Sequence, residues 1–211
     1  MYISPIDTSL TFAPKDAYNR RTEFLYFSMN VTKTPLEGLL IIEPKVFGDD
    51  RGYFFESYQK ERYTEVGVSP ELVQDNQSKS ARGILRGLHL QLGDTAQGKL
   101  VWVIAGRVLD VAVDCRVGSP TFGQHVATEL SADNKKQMWV PRGFAHGFQS
   151  LEEGTIFVYK CDNYYAPENE ITLLYNDPAL GIEWPIKEAI LSEKDKKGLT
   201  LKDLRGKLAK S

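Results

Sequence analysis

Cysteine is almost absent from this chain: two residues in 211, Cys115 and Cys161. They have no metal or redox spacing and are too few for a disulfide framework, so both read as buried thiols in a reducing, cytoplasmic setting. Long hydrophobic runs are missing too. No stretch approaches the ~20 apolar residues of a membrane span, and the N-terminus lacks a basic region leading into an apolar one, so a soluble protein is expected. Neither sign of charge dominates, with 26 Lys and Arg against 28 Asp and Glu. This excludes a general attraction to nucleic acid or an anionic membrane, and any anion must be held by a local cluster. Histidine is scarce, at three residues. A three-histidine metal site would need His89, His125 and His146 together, and position 91 is Gln where a His-x-His pair would place its second ligand, so no metal is expected. Glycine-rich nucleotide loops and Ser or Cys nucleophile motifs are also lacking. Acid–base chemistry without a cofactor is what remains.

What is present is a chain 42% hydrophobic and 26% charged, ordinary for one globular domain with a substantial core. Residues 1–28 are weakly patterned and read as an N-terminal extension; 29–211 read as a single domain. Its core predicts strands over 39–46, 52–58, 84–91, 99–105, 107–115, 124–130, 137–140, 145–151 and 155–161, punctuated by Gly-Asp, Ala-Gly-Arg and Asp-Asn turns. Helix signals are confined to 59–66 and 186–197, with Ser192 as a cap before Glu193, Lys194 and Asp195. Many short antiparallel strands with few, short peripheral helices indicate an all-β sandwich or jelly-roll barrel.

Polar residues interrupt this pattern in one region. Lys99 breaks its strand, because Val101 and Val103 share its face and are apolar. Arg86, His89, Gln91, Gln97 and Lys99 lie within fourteen residues in otherwise apolar strands. Burying so many polar groups is costly unless they serve a ligand or each other. His89 alone would read as a core histidine bonded to a carbonyl; in this company it reads as functional. His146, in Gly143-Phe144-Ala145-His146-Gly147, fits a tight strand entry, and His125 an exposed strand position. Tyr159 alternates with Phe157 and Cys161 and fits a core residue with its hydroxyl satisfied. Asn163 to Glu168 reads as a loop presenting aromatic rings.

A more specific signal comes from ordered motifs: Glu43 to Ser57, Val73-Gln74-Asp75-Asn76, Leu85 to Gln91, Ser119 to Gly123, Pro141 to Phe148, Tyr159-Lys160, Asn176 to Trp184 and Leu191 to Asp195. Over about residues 36–196 the chain closely resembles the dTDP-4-dehydrorhamnose 3,5-epimerases. The resemblance implies a cupin-type jelly-roll barrel, a homodimer with exchanged N-terminal strands, and no cofactor. It also implies epimerisation at C3 and C5 of dTDP-4-dehydro-6-deoxy-D-glucose, giving dTDP-4-dehydro-L-rhamnose. In the implied site His89 is the general base paired with Asp195, Tyr159 the general acid, and Lys99 the group facing the C4 oxygen. Arg51, Glu56, Gln74, Asn76, Arg86, His146, Glu170 and Lys194 would contact the nucleotide-sugar, and Tyr165 would stack on thymine. Gln77 stands where many members have histidine, and Ile171-Thr172 replaces a more usual glycine-containing pair. Two alternatives stay open at this point: an enzyme that epimerises one carbon or shifts the keto group, and a non-catalytic nucleotide-sugar-binding cupin.

Overall fold

A strand whose neighbours cover both faces needs no polar side, and several strands here are buried almost end to end. The computed structural model describes residues 29–208; the 1–28 extension lies outside the described residues. The strands are β1 Met29–Lys33, β2 Leu40–Pro44, β3 Phe47–Asp49, β4 Gly52–Phe54, β5 Gln74–Ser80, β6 Leu85–Gln91, β7 Lys99–Ala105, β8 Arg107–Asp114, β9 His125–Ser131, β10 Gln137–Val140, β11 Phe144–Ser150, β12 Thr155–Cys161 and β13 Glu170–Thr172. Helix α1 spans Lys60–Glu65 and α2 spans Leu201–Leu208. One sheet has the order β1-β2-β10-β7-β12-β5 and the other β13-β6-β11-β8-β9, with β3 and β4 forming a separate hairpin. All the strand pairings are antiparallel. This is the jelly-roll architecture expected.

Three apolar layers hold it. Val101 and Phe157 from one sheet meet Val108, Ala112 and Phe148 from the other in a core between the sheets. A second cluster covers the outer face of the five-stranded sheet, where Leu85, Leu90, Val111 and Val113 pack under Leu180, Trp184 and Leu204 of the C-terminal segment. A third packs Ile42, Leu100 and Trp139 of the six-stranded sheet against Tyr63 of α1. With both sides covered, every residue of β10 and β11 is buried.

Several expectations need correction. The predicted helix over 186–197 is irregular chain with one bridge to the sheet: Ile190 exchanges backbone hydrogen bonds with Gly83 and Leu85 at 2.9 Å each, and Gln149 brackets Ile186 at 2.8 and 2.9 Å. Pairing with the sheet outcompetes local helix propensity there, and only Asp195–Lys197 forms a 3-10 turn. The helix lies further on, in α2, where Thr200 and Asp203 cap each other at 2.7 and 3.1 Å. The predicted 52–58 strand stops at Phe54. Strands β1, β3, β5 and β13 are absent from the predicted set altogether.

Strand β6 carries one irregularity that matters. Against β11, His89 pairs with His146 but Arg86 pairs with Phe148, so three steps on β6 match two on its partner. The extra residue falls at Gly87, whose φ is +132°. A Cβ there would lie 2.6 Å from Gly147 Cα, so only glycine lets the strands approach.

Candidate active site

The β6 bulge decides which side chains enter the space between the sheets. Residues three apart on a regular strand face opposite ways, but Arg86 and His89 both line one cavity of about 340 Å³. The five-stranded sheet gives that cavity His89 and His146; the six-stranded sheet gives Asn76, Lys99 and Tyr159; the C-terminal segment closes it with Ser192, Lys194 and Asp195. A second hollow of about 320 Å³ shares Asn76, His89, Lys99 and Tyr159 and continues outward to Gln74, Tyr165 and Glu170.

Two histidine–carboxylate pairs stand on the five-stranded side. His89 Nε2 lies 2.6 Å from Asp195 Oδ1, with the Asp195 side chain 5% exposed. Ser192 Oγ accepts the Asp195 N–H at 3.1 Å, the capping role expected of it. Burial pushes the Asp195 carboxyl up, but the His89 hydrogen bond and charge, with contributions from Ser192 and the Gly87 N–H, outweigh it and hold the group below its usual range. The second pair sits deeper: His146 Nε2 meets Asp110 at 2.9 and 3.1 Å, and Asp110 is fully buried. Asp110 was missed from the sequence, although it interrupts the apolar run Val108 to Val113 as Lys99 interrupts its own.

Lys99 and Tyr159 face these pairs from the other sheet. The Lys99 ammonium is 6.0 Å from the Tyr159 ring centroid. Burial lowers the Lys99 pKa, assisted by Lys194 and opposed by Cys161 and Asp110. Burial raises that of Tyr159, with Cys161 and Tyr165 adding to the effect and Arg86 opposing it. Tyr159 is only partly buried and lines the cavity, where the sequence reading of a core tyrosine would have sealed it away. Cys115 and Cys161 are both buried and free, as expected.

The remaining expected residues divide. Gln74 donates to Asn76 Oδ1 at 3.2 Å; Arg86 Nε donates to Ser80 Oγ at 3.1 Å; Lys194 and Glu170 form an ion pair at the rim. Tyr165, 51% exposed, edges the outer hollow. Arg51 and Glu56 lie outside both hollows. Arg51 is on the β3–β4 hairpin beside Asp49, and Glu56 pairs with Arg62. Gln77, the departure noted in the sequence, joins the cavity wall. His125, expected exposed, is half-buried on β9.

Set beside known proteins, the chain matches epimerases of dTDP-sugars. A family model described as dTDP-4-dehydrorhamnose 3,5-epimerase matches residues 33–203. The dTDP-4-dehydrorhamnose 3,5-epimerase of Salmonella typhimurium is 56% identical over 169 residues, 79% of this chain and 92% of that one. A crystal structure of a dTDP-6-deoxy-D-glucose-3,5-epimerase from Legionella pneumophila, in complex with dTDP-4-keto-L-rhamnose, superposes with TM-score 0.82 at 51% identity, covering 86% of this chain and 97% of that one. A 3'-monoepimerase from Streptomyces bikiniensis, in complex with dTDP-quinovose, superposes at 0.78 with 34% identity, covering 83% and 89%. With its two-sheet barrel and a cavity walled by His89, Asp195, Lys99 and Tyr159, the chain belongs to the dTDP-4-dehydrorhamnose 3,5-epimerase family.

Proposed function

We propose that this chain epimerises C3 and C5 of dTDP-4-dehydro-6-deoxy-D-glucose without a cofactor, giving dTDP-4-dehydro-L-rhamnose for deoxysugar synthesis. One observation carries the reading: the His89–Asp195 pair and the Tyr159 hydroxyl stand on opposing sheets of one cavity. Inversion at carbon needs a base on one face and an acid on the other. His89 takes the proton next to the C4 ketone, and the bonding pair moves into the C4 oxygen as an enolate. Neutral imidazole is too weak a base to do this unless that oxyanion is stabilised, and Lys99 supplies the positive charge. Asp195 holds the imidazole by one nitrogen and favours the imidazolium as it forms. Tyr159 then delivers a proton to the opposite face of the same carbon; the His89 imidazolium releases its proton to solvent and the phenolate takes one from solvent, which resets both groups with no net change. The same cycle at the second ketone-flanking carbon completes the reaction.

Nucleotide binding spans the inner cavity and the outer hollow. Arg86 and Lys194 of the inner cavity supply positive charge for the diphosphate, Gln74, Asn76, His146 and Glu170 supply hydrogen bonds, and Tyr165 at the outer edge supplies a ring for thymine. Arg51 and Glu56 act in the neighbouring site of a homodimer with exchanged N-terminal strands. Supporting this, Tyr53 and Phe54 on the same hairpin are 60% and 61% exposed, an apolar surface that a second copy would cover. Residues 29–211 form one functional unit. Two buried free thiols fit a reducing compartment, and we place the enzyme in the cytoplasm.

Incubation with dTDP-4-dehydro-6-deoxy-D-glucose in heavy water tests the reading. Deuterium at both C3 and C5 is the expected result. Label at C3 alone would make the chain a single-carbon epimerase, the activity named for the Streptomyces bikiniensis neighbour. No label at either carbon would leave a binding module.

A further inference from the structure

Gln91 is a buried amide that touches neither hollow. At 5% exposure its amide is bonded to backbone on both ends: Oε1 accepts the Ala166 N–H at 2.8 Å, and Nε2 spends both donors on the carbonyls of Thr95 at 2.6 Å and Tyr164 at 3.2 Å. Gln97, also buried, donates to the Asn163 carbonyl at 2.7 Å, and Gln74 accepts the Tyr165 N–H at 3.0 Å. Residues 163–166 are outside any strand, so their backbone groups lack ladder partners, and three glutamine side chains meet them instead. The backbone is pinned while the Tyr165 ring stays half exposed at the cavity edge.

We propose that Gln91 is a positioning residue for nucleotide recognition: it fixes the 163–166 loop so that the Tyr165 ring is pre-set as a platform for the base, with Gln97 as a second anchor. This rests on the reading of Tyr165 as the base-stacking residue. A ring held in place before binding loses little freedom when the base arrives, so the anchor acts on affinity and not on the proton-transfer step. Gln91→Met keeps the length and apolar stem of the side chain while deleting all three hydrogen bonds.

The test is a double-mutant cycle in the full-length protein, with dTDP binding followed by calorimetry and turnover measured on the dTDP-sugar. Gln91→Met should weaken dTDP by about tenfold, within the range of a lost base–aromatic stack, and raise KM while kcat stays within about twofold. Tyr165→Ala should weaken dTDP by as much or more, and Gln91→Met added to it should cost nothing further, because the anchor then has no ring to position. Gln97→Met, which removes a single anchor, should show a smaller effect and serves where Gln91→Met does not fold; because Gln97 also lines the outer hollow, a loss that disappears in the Tyr165→Ala background supports anchoring and one that persists there overturns it. Additive losses, an unchanged dTDP affinity in Gln91→Met, or a fall in kcat with affinity intact would overturn the proposal. If Tyr165→Ala leaves dTDP affinity unchanged, the base-stacking reading itself fails, a result distinct from additivity.

Discussion

At the scale of single residues, the 2.6 Å His89–Asp195 contact and the raised pKa of Tyr159 make separable predictions. His89→Ala removes the base but leaves the phosphate-binding cations, so solvent exchange at C3 and C5 should fall at least about a hundredfold with dTDP affinity nearly intact. Asp195→Asn should lose less, since it removes orientation and imidazolium stabilisation only. Tyr159→Phe keeps the ring and deletes the acidic proton, so deuterium wash-in should outlast epimer formation; equal falls in both would assign the opposite-face acid elsewhere. Burial lowers the Lys99 pKa and raises that of Tyr159, so the lysine's loss of charge is drawn toward neutral pH while the tyrosine's ionisation is moved away from it. Lys99→Arg, whose guanidinium stays charged, should therefore move the alkaline limb of its residual activity to higher pH. Lys99 and His89 were legible because each is polar in an apolar run. Asp110 carries the same signal, but no motif singled it out, and its partner His146 comes from another strand.

At the scale of elements, β6 is the part whose geometry the site depends on. Gly87→Ala would put a methyl 2.6 Å from Gly147 Cα and 2.9 Å from the His146 carbonyl, where no flexible side chain can yield. The strained φ adds to the clash, and the two together should cost at least about 2 kcal/mol and disturb the Gly87 N–H that bonds Asp195. Urea unfolding and C3 and C5 exchange, measured together, check both halves. The invisibility of β5 has a physical cause in the same site. Its inward residues Gln74, Asn76, Ser78 and Ser80 are all polar, so hydrophobic periodicity vanishes where the strand faces the cavity instead of the core. The 186–197 segment erred in the other direction: its charges and apolar spacing suit a helix, while Gly83, Leu85 and Gln149 offer it strand-like partners.

At the scale of the molecule, the proposed exchanged-strand dimer has a direct test. Mixing Arg51→Ala and His89→Ala chains makes hybrid dimers in which one site holds an intact His89 and, if Arg51 crosses over, an intact Arg51. About half the sites in each hybrid should then be active although both parents are impaired; absence of recovery would keep Arg51 within its own protomer. Stability carries its own pH signature. The Asp114 side chain, with no exposed surface, binds Arg116, Ser119 and Thr121 at 2.6–3.0 Å. Burial opposes ionisation there, but those hydrogen bonds prevail and hold the carboxyl far below its usual 3.8. A depressed carboxyl stabilises above its unfolded pKa and ceases to as pH falls through the folded value. Asp114→Asn should therefore lose about 2 kcal/mol at pH 7, and the gap to the parent should narrow below about pH 4 in urea titrations.

By itself the sequence determined the all-β architecture, most strand positions, the two buried thiols and the polar residues out of place in apolar strands. Each is a local property, written in spacing and composition within a few residues. Ordered motifs carried the family. Tertiary structure alone decided which of those polar residues meet. The Gly87 bulge turns Arg86 and His89 to one side, Asp195 reaches His89 across 106 positions of chain, and opposing sheets bring Lys99 and Tyr159 to the far wall. It also reassigned Gln91, out of place in the sequence like the others, from the ligand to the loop beside it. A pattern along one strand states which face a residue takes; only packing against a second strand states what that face looks at.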